Sequence, residues 1–207
     1  MHQTALQPIR RTGRPIAAAL TMLGLTLGLP VAAMDGAGAA DEFNHIRGTS
    51  GNDRLGGTAA ADDIRGMRGD DWLWGYGGPD VLSGGLGADT LHGGEGVDGL
   101  YGRSGADFLH AGAGTDHLEG GRGNDFLTGG RGGDHLIGGA GNDNVENEVG
   151  RDRISLGAGN DSYVDWEIDG MRDEIWCGPG DDFVGYWGDP DPADTLHGCE
   201  RIGNIAH

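Results

Sequence analysis

The chain has 207 residues, 45 of them Gly, with 14 basic residues against 33 acidic ones and a formal charge of -19. All the basic residues are Arg. That balance excludes nucleic acid and anionic membrane surfaces as partners, since both need a positive face, and leaves multivalent cations as the natural complement; the glycine content comes without the triplet period of collagen.

The first segment reads as a targeting sequence. Arg10, Arg11 and Arg14 precede an apolar run from Ile16 to Leu29 that is too short to span a bilayer comfortably, so no membrane insertion is expected. Pro30 and the small residues Val31-Ala32-Ala33 follow, which suits cleavage of a secretory signal covering residues 1–33; Ala37-Gly38-Ala39 offers a second cleavage position. The Arg10-Arg11 pair leaves both the general and the twin-arginine export routes open. The protein is therefore expected outside the cell, with residues 34–47 as a short linker.

From residue 48 to residue 164 the sequence is periodic. Stepping by nine from Asp53 meets Asp62, Asp71, Asp80, Asp89, Asp98, Asp107, Asp116, Asp125, Asp134, Asp143, Asp152 and Asp161 without a miss. Two residues after each stands an apolar or aromatic side chain, from Leu55 to Tyr163, and two residues before each stands Gly, with Ala60 the one exception. The best copies, such as Gly120-Gly121-Arg122-Gly123-Asn124-Asp125-Phe126-Leu127-Thr128, read GGxGxDxUx with U a large aliphatic residue.

This pattern resembles the hemolysin-type, or repeats-in-toxin (RTX), calcium-binding nonapeptide repeats. The resemblance implies an all-β fold, a right-handed parallel β-roll in which each GGxGxD forms a turn, each xUx a short strand, and two repeats complete one coil. It also implies several Ca2+ ions held between turns of successive coils. The chemistry of the residues agrees, because calcium takes oxygen ligands from carboxylates and carbonyls, and Gly lets backbone approach a cation closely.

A coil of two repeats spaces stacked ligands 18 residues apart. One edge then carries Asp53, Asp71, Asp89, Asp107, Asp125, Asp143 and Asp161, and the other carries Asp62, Asp80, Asp98, Asp116, Asp134 and Asp152. Shared ions in the gaps would number up to eleven, with weak binding at the degenerate turns Thr58-Ala59-Ala60 and Asn147-Glu148-Val149. With so few apolar residues per repeat, folding is expected to depend on the metal.

After Asp161 the period slips to twelve, nine and twelve, through Asp173, Asp182 and Asp194. Each three-residue insertion should bulge a loop, and residues 165–207 read as degenerate repeats and a cap over the last coil. Cys177 and Cys199 are the only cysteines, an even count that reads as a disulfide in an exported chain. The Cys199-Glu200-Arg201-Ile202 ending resembles that of secreted actinobacterial-type calcium-binding repeat proteins.

No nucleophile motif or zinc-protease signature appears, so the chain reads as non-enzymatic. Columns 18 apart also place Trp72, Phe108 and Phe126 beside Trp74, His92 and His110 on one outer face. Sugar stacking, pairing with a second copy, and stabilisation of the sheet itself are all open there. His117 and His135 stack on the other sheet, where a transition metal and plain exposed histidines are both open readings.

Overall fold

The computed structural model describes residues 43–147, 149–166, 169–188 and 190–205. The expected export signal, residues 1–33, lies outside them. Among the described residues there is no helix; eighteen strands run in two parallel sheets of nine.

One sheet contains β1 (Asn44–Arg47), β3 (Asp62–Arg68), β5 (Val81–Leu86), β7 (Gly99–Ser104), β9 (His117–Arg122), β11 (His135–Ala140), β13 (Arg153–Ala158), β15 (Glu174–Trp176) and β17 (Thr195–His197). The other contains β2 (Arg54–Gly56), β4 (Trp72–Gly77), β6 (Thr90–Gly96), β8 (Phe108–Gly114), β10 (Phe126–Gly132), β12 (Asn144–Asn147), β14 (Ser162–Asp165), β16 (Phe183–Tyr186) and β18 (Arg201–Asn204). Every pairing is between strands two apart in the chain, so each coil contributes one strand to each sheet. This is the expected β-roll.

The register follows the sequence period. Leu73 pairs with Leu91, Leu91 with Leu109 and Leu109 with Leu127, all steps of 18 residues. These side chains point between the sheets and are wholly buried, as are their counterparts Ile64, Leu82, Leu100, Leu118 and Leu136. The core is thus a double file of single aliphatic residues, closed near the C-terminal end by the larger Tyr163 and Tyr186.

Three details differ from the sequence reading. Asn44–Arg47, expected as the end of the linker, forms β1 and pairs with β3 through Ile46 opposite Ile64. The strands also exceed three residues, reaching seven, because the chain stays paired through the glycine pair after the apolar residue. The second residue of that pair takes a positive φ, as at Gly85 and Gly112. Met67, Tyr76 and Arg103 hold the same conformation without being Gly, a strain of roughly 1–2 kcal/mol each.

The region after Asp165 continues both sheets instead of leaving them. Strand β13 pairs with β15, β14 with β16 and β15 with β17 at steps of 21 residues, and β16 pairs with β18 at 18. Both insertions fall in turns on the same edge, so the enlarged loops stack on each other, with the Trp166 and Trp187 rings 5.5 Å apart. Cys177 and Cys199 form a disulfide between these last two coils. Closing a loop of 22 residues contributes about 3 kcal/mol.

Candidate metal centre

Every turn ends in an Asp that is at most 3 % exposed from Asp53 to Asp161. Its two carboxylate oxygens have different fates. Oδ1 accepts the backbone N–H of the Asp one coil earlier: Asp53 donates to Asp71, Asp71 to Asp89 and Asp89 to Asp107, each at 2.8 Å. The other edge repeats this from Asp62 to Asp80 and Asp80 to Asp98, at 2.8 and 2.9 Å. The structure therefore assembles all thirteen aspartates into the two ladders read from the sequence.

Both ladders run further than expected. Asp161 donates to Asp182 Oδ1 at 2.9 Å and Asp182 to Glu200 Oε2 at 3.3 Å on one edge. On the other, Asp152 donates to Asp173 Oδ1 at 2.9 Å and Asp173 to Asp194 Oδ1 at 3.1 Å. The Asp-x-U triplets around 173, 182 and 194 were the signal for this continuation.

Oδ2 is buried and has no hydrogen-bond partner among the described residues at every ladder Asp from Asp71 to Asp143, and again at Asp161, Asp182 and Asp194. A buried polar atom left unpaired costs about 1–3 kcal/mol, and more for a charged group, so a file of them points to a missing partner. The space beside each is lined by oxygen. A Cβ placed on Gly102 would lie 2.5 Å from Asp107 Oδ2 and 2.7 Å from the Gly120 carbonyl oxygen; one on Gly120 would lie 2.5 Å from Asp125 Oδ2 and 2.7 Å from the Gly138 carbonyl. Carboxylate and carbonyl oxygens, with no sulfur or imidazole, form the donor set of a hard cation such as calcium.

Asp53 and Asp62 differ from the rest. Their turns carry Thr49 and Thr58 where later turns carry the second Gly, and each Thr donates both its N–H and its Oγ1 hydroxyl to the Asp Oδ2. The Thr58-Ala59-Ala60 turn is thus a hydroxyl-closed turn. Expected weak binding there has a physical cause: the oxygen already has two donors.

At the C-terminal end Asp165, Asp173 and Asp194 each place a carboxylate oxygen within 4.8 Å of the others. Asp165 stands where earlier turns have their first Gly, as at Gly57, so a carboxylate enters the space that glycine leaves open elsewhere. The Tyr163 hydroxyl donates to Asp173 Oδ2 at 3.5 Å, and the Tyr186 hydroxyl bonds Asp194. Sequence reasoning missed Asp165 because the register had already broken around it.

Burial is the first cause of raised carboxyl pKa values along both ladders, and neighbouring aspartates add to it. Asp80, Asp107, Asp134 and Asp173 are pushed up to about 7. Asp89, Asp116 and Asp143 rise to about 6. A carboxyl whose folded pKa lies above its unfolded value stabilises the fold while protonated and loses that contribution as pH rises through the folded value. Metal-free protein is therefore expected to gain β circular-dichroism signal as pH falls from about 7 toward 3.8. A signal that decreases over that range would contradict the burial of these groups.

The outer-face columns also form. On β4 to β10, Trp74 stacks on His92 with ring centroids 6.1 Å apart, His92 lies 5.8 Å from His110, and Phe108 stacks on Phe126 at 5.1 Å and 4° between planes. Trp72 packs against Trp74 at 5.6 Å and receives the Arg54 guanidinium over its ring at 5.4 Å.

No curated protein matches the chain significantly. The family profile described as "RTX calcium-binding nonapeptide repeat (4 copies)" matches residues 40–73, 56–91, 74–109, 92–127, 110–145 and 128–163. Those windows tile both ladders from the first coil to Asp161, and with the roll and its oxygen-lined turns they place the chain in the RTX calcium-binding nonapeptide repeat family.

Proposed function

We propose that this is a secreted, non-enzymatic calcium-binding protein whose roll folds when calcium fills the turns. The observation that carries the reading is the file of buried, unpartnered Oδ2 atoms from Asp71 to Asp143. The ligands would be the ladder aspartates from Asp71 to Asp161, joined by Asp182 and, at the C-terminal end, by Asp165, Asp173 and Asp194. Asp53 and Asp62 would contribute least, since Thr49 and Thr58 already hold their Oδ2 atoms.

Bound calcium would supply the positive charge that lets carboxylates stack in a dry turn. The chain does the rest: Oδ1 fixes each carboxylate to the previous coil, and Gly keeps the oxygen-lined space open. Secretion is supported by the disulfide and by the apolar run after Arg14, and calcium is plentiful outside cells. Equilibrium dialysis against calcium with magnesium in excess should retain several calcium ions per chain. Retention of one ion or none would sink the reading. Magnesium should compete poorly, because it demands near-octahedral geometry and gives up its waters reluctantly.

A second reading concerns partners. The columns through Trp72 and Trp74 carry no carboxylate from β2 to β10, and Trp72 and Phe108 are 44 % and 38 % exposed. Such a face suits stacking on the sugar rings of an extracellular glycan, or on a second copy of itself. The paired change Trp72→Ala with Phe108→Ala, tested on a glycan array and by sedimentation, separates the two: lost glycan retention favours the first and lost dimer the second. If neither changes, the rings serve the sheet alone.

A further inference from the structure

The turns account for the hard oxygen donors, but one pair of nitrogen donors stands apart from them. His117 on β9 and His135 on β11 are register partners in adjacent strands, and their Nδ1 atoms face each other at 3.2 Å, with ring centroids 5.1 Å apart. Their positions are set by the ladder: the His117 N–H donates to the Asp98 carbonyl at 2.8 Å and the His135 N–H to the Asp116 carbonyl at 2.9 Å. The remaining described histidines are arranged otherwise. His45 Nδ1 engages Asp63, His197 stacks on Trp176, and His92 meets His110 edge-on.

We propose that His117 and His135 chelate one first-row divalent cation, zinc in particular, through their Nδ1 atoms. Zinc holds imidazole nitrogen at about 2.0–2.1 Å in tetrahedral geometry, which places two such nitrogens about 3.3 Å apart. The observed 3.2 Å matches that bite without moving either strand. Imidazole selects zinc, copper and nickel, whereas the carboxylate and carbonyl oxygens of the turns select calcium, so the two sites discriminate by donor chemistry.

Room for further ligands is present. A cavity of about 380 Å3 opens beside His135, lined also by Asp134, Arg151, Asp152, Arg153 and Glu174, and leaves space for water on the cation. The nearest opposing charge, Arg153, has its Nε 3.5 Å from Glu174 Oε2. Asp116 and His117 are consecutive, as are Asp134 and His135, so one coil pair would carry an oxygen site at its edge and a nitrogen site on its outer face.

The inference rests on the parallel register of β9 and β11, which brings together residues 18 apart in the chain. It does not depend on calcium occupying the turns. Isothermal calorimetry with zinc would be run on untagged protein in excess calcium, with the β circular-dichroism signal recorded on the same samples. The wild type should show one saturable zinc event per chain. His117→Ala combined with His135→Ala should weaken it by about tenfold or more, while His92→Ala combined with His110→Ala should leave it unchanged. Copper bound in place of zinc should show electron paramagnetic resonance splitting from two imidazole nitrogens. Zinc binding that survives the 117/135 double variant, or wild-type protein with a full β signal and no saturable event, would overturn the proposal.

Discussion

Chelation of calcium is expected to abolish most of the β circular-dichroism signal of this protein, and restoring calcium should bring it back in one cooperative step. The core supplies only one wholly buried aliphatic side chain per strand over most of the roll, as at Leu73, Leu82 and Leu91. Ordering a residue costs about 1–2 kcal/mol of backbone entropy alone, and a nonapeptide with a single buried Leu does not recover that from apolar burial. Above pH 7 the same coils would also stack ionised aspartates in places pushed up to about 7 by burial. A cation between them removes both obstacles at once. Cooperativity follows because each coil contacts only its neighbours, so one filled turn favours the next. A native-like spectrum in excess chelator would refute metal-driven folding.

The second large effect is expected at Asp107. Its Oδ1 accepts the Asp89 N–H at 2.8 Å, its own N–H donates to Asp125 Oδ1 at 2.8 Å, and its Oδ2 has no partner. Asp107→Ala would strand the Asp89 donor, costing about 1–3 kcal/mol, and would remove the carboxylate shared by the gaps on either side. Asp107→Asn keeps an Oδ1 acceptor but removes the charge. The calcium midpoint for folding should therefore rise strongly for Ala and less for Asn, and change little for Asp53→Ala, where Thr49 already occupies Oδ2. Equal, small shifts at Asp107 and Asp53 would show that the ladder oxygens are not the ligands.

Much of this was legible in the amino-acid sequence because one short period controls everything. The Asp column gave both edges of the roll, and the apolar column gave the buried file, since a parallel coil stacks like on like. Reading failed where a residue kept its place but changed its chemistry. Asn44 stands nine before Asp53, with Ile46 two residues later, and its Nδ2 donates to Asp62 Oδ1 at 2.9 Å, so the column began one step early with an amide. Glu200 ends the other ladder in the same way, 18 after Asp182. The three-residue insertions hid Asp173 and Asp194 because the two enlarged turns compensate each other only in space. The strained backbone at Met67, Tyr76 and Arg103 had no sequence signal, since glycine is the usual residue in that conformation.

The two ends of the roll are closed differently. At the first coils the Thr49 and Thr58 hydroxyls occupy oxygens that elsewhere stay open. At the last coils the register lengthens to 21 residues and Cys177 is tied to Cys199. A stack of identical coils has no natural length, because its final strands would accept the first strands of another chain in the same register. Here the leading end offers no vacant oxygen for a bridging ion, and the trailing end has a different pitch. Such a filament could not grow by adding copies end to end, so the molecule is limited to the coils its own chain provides.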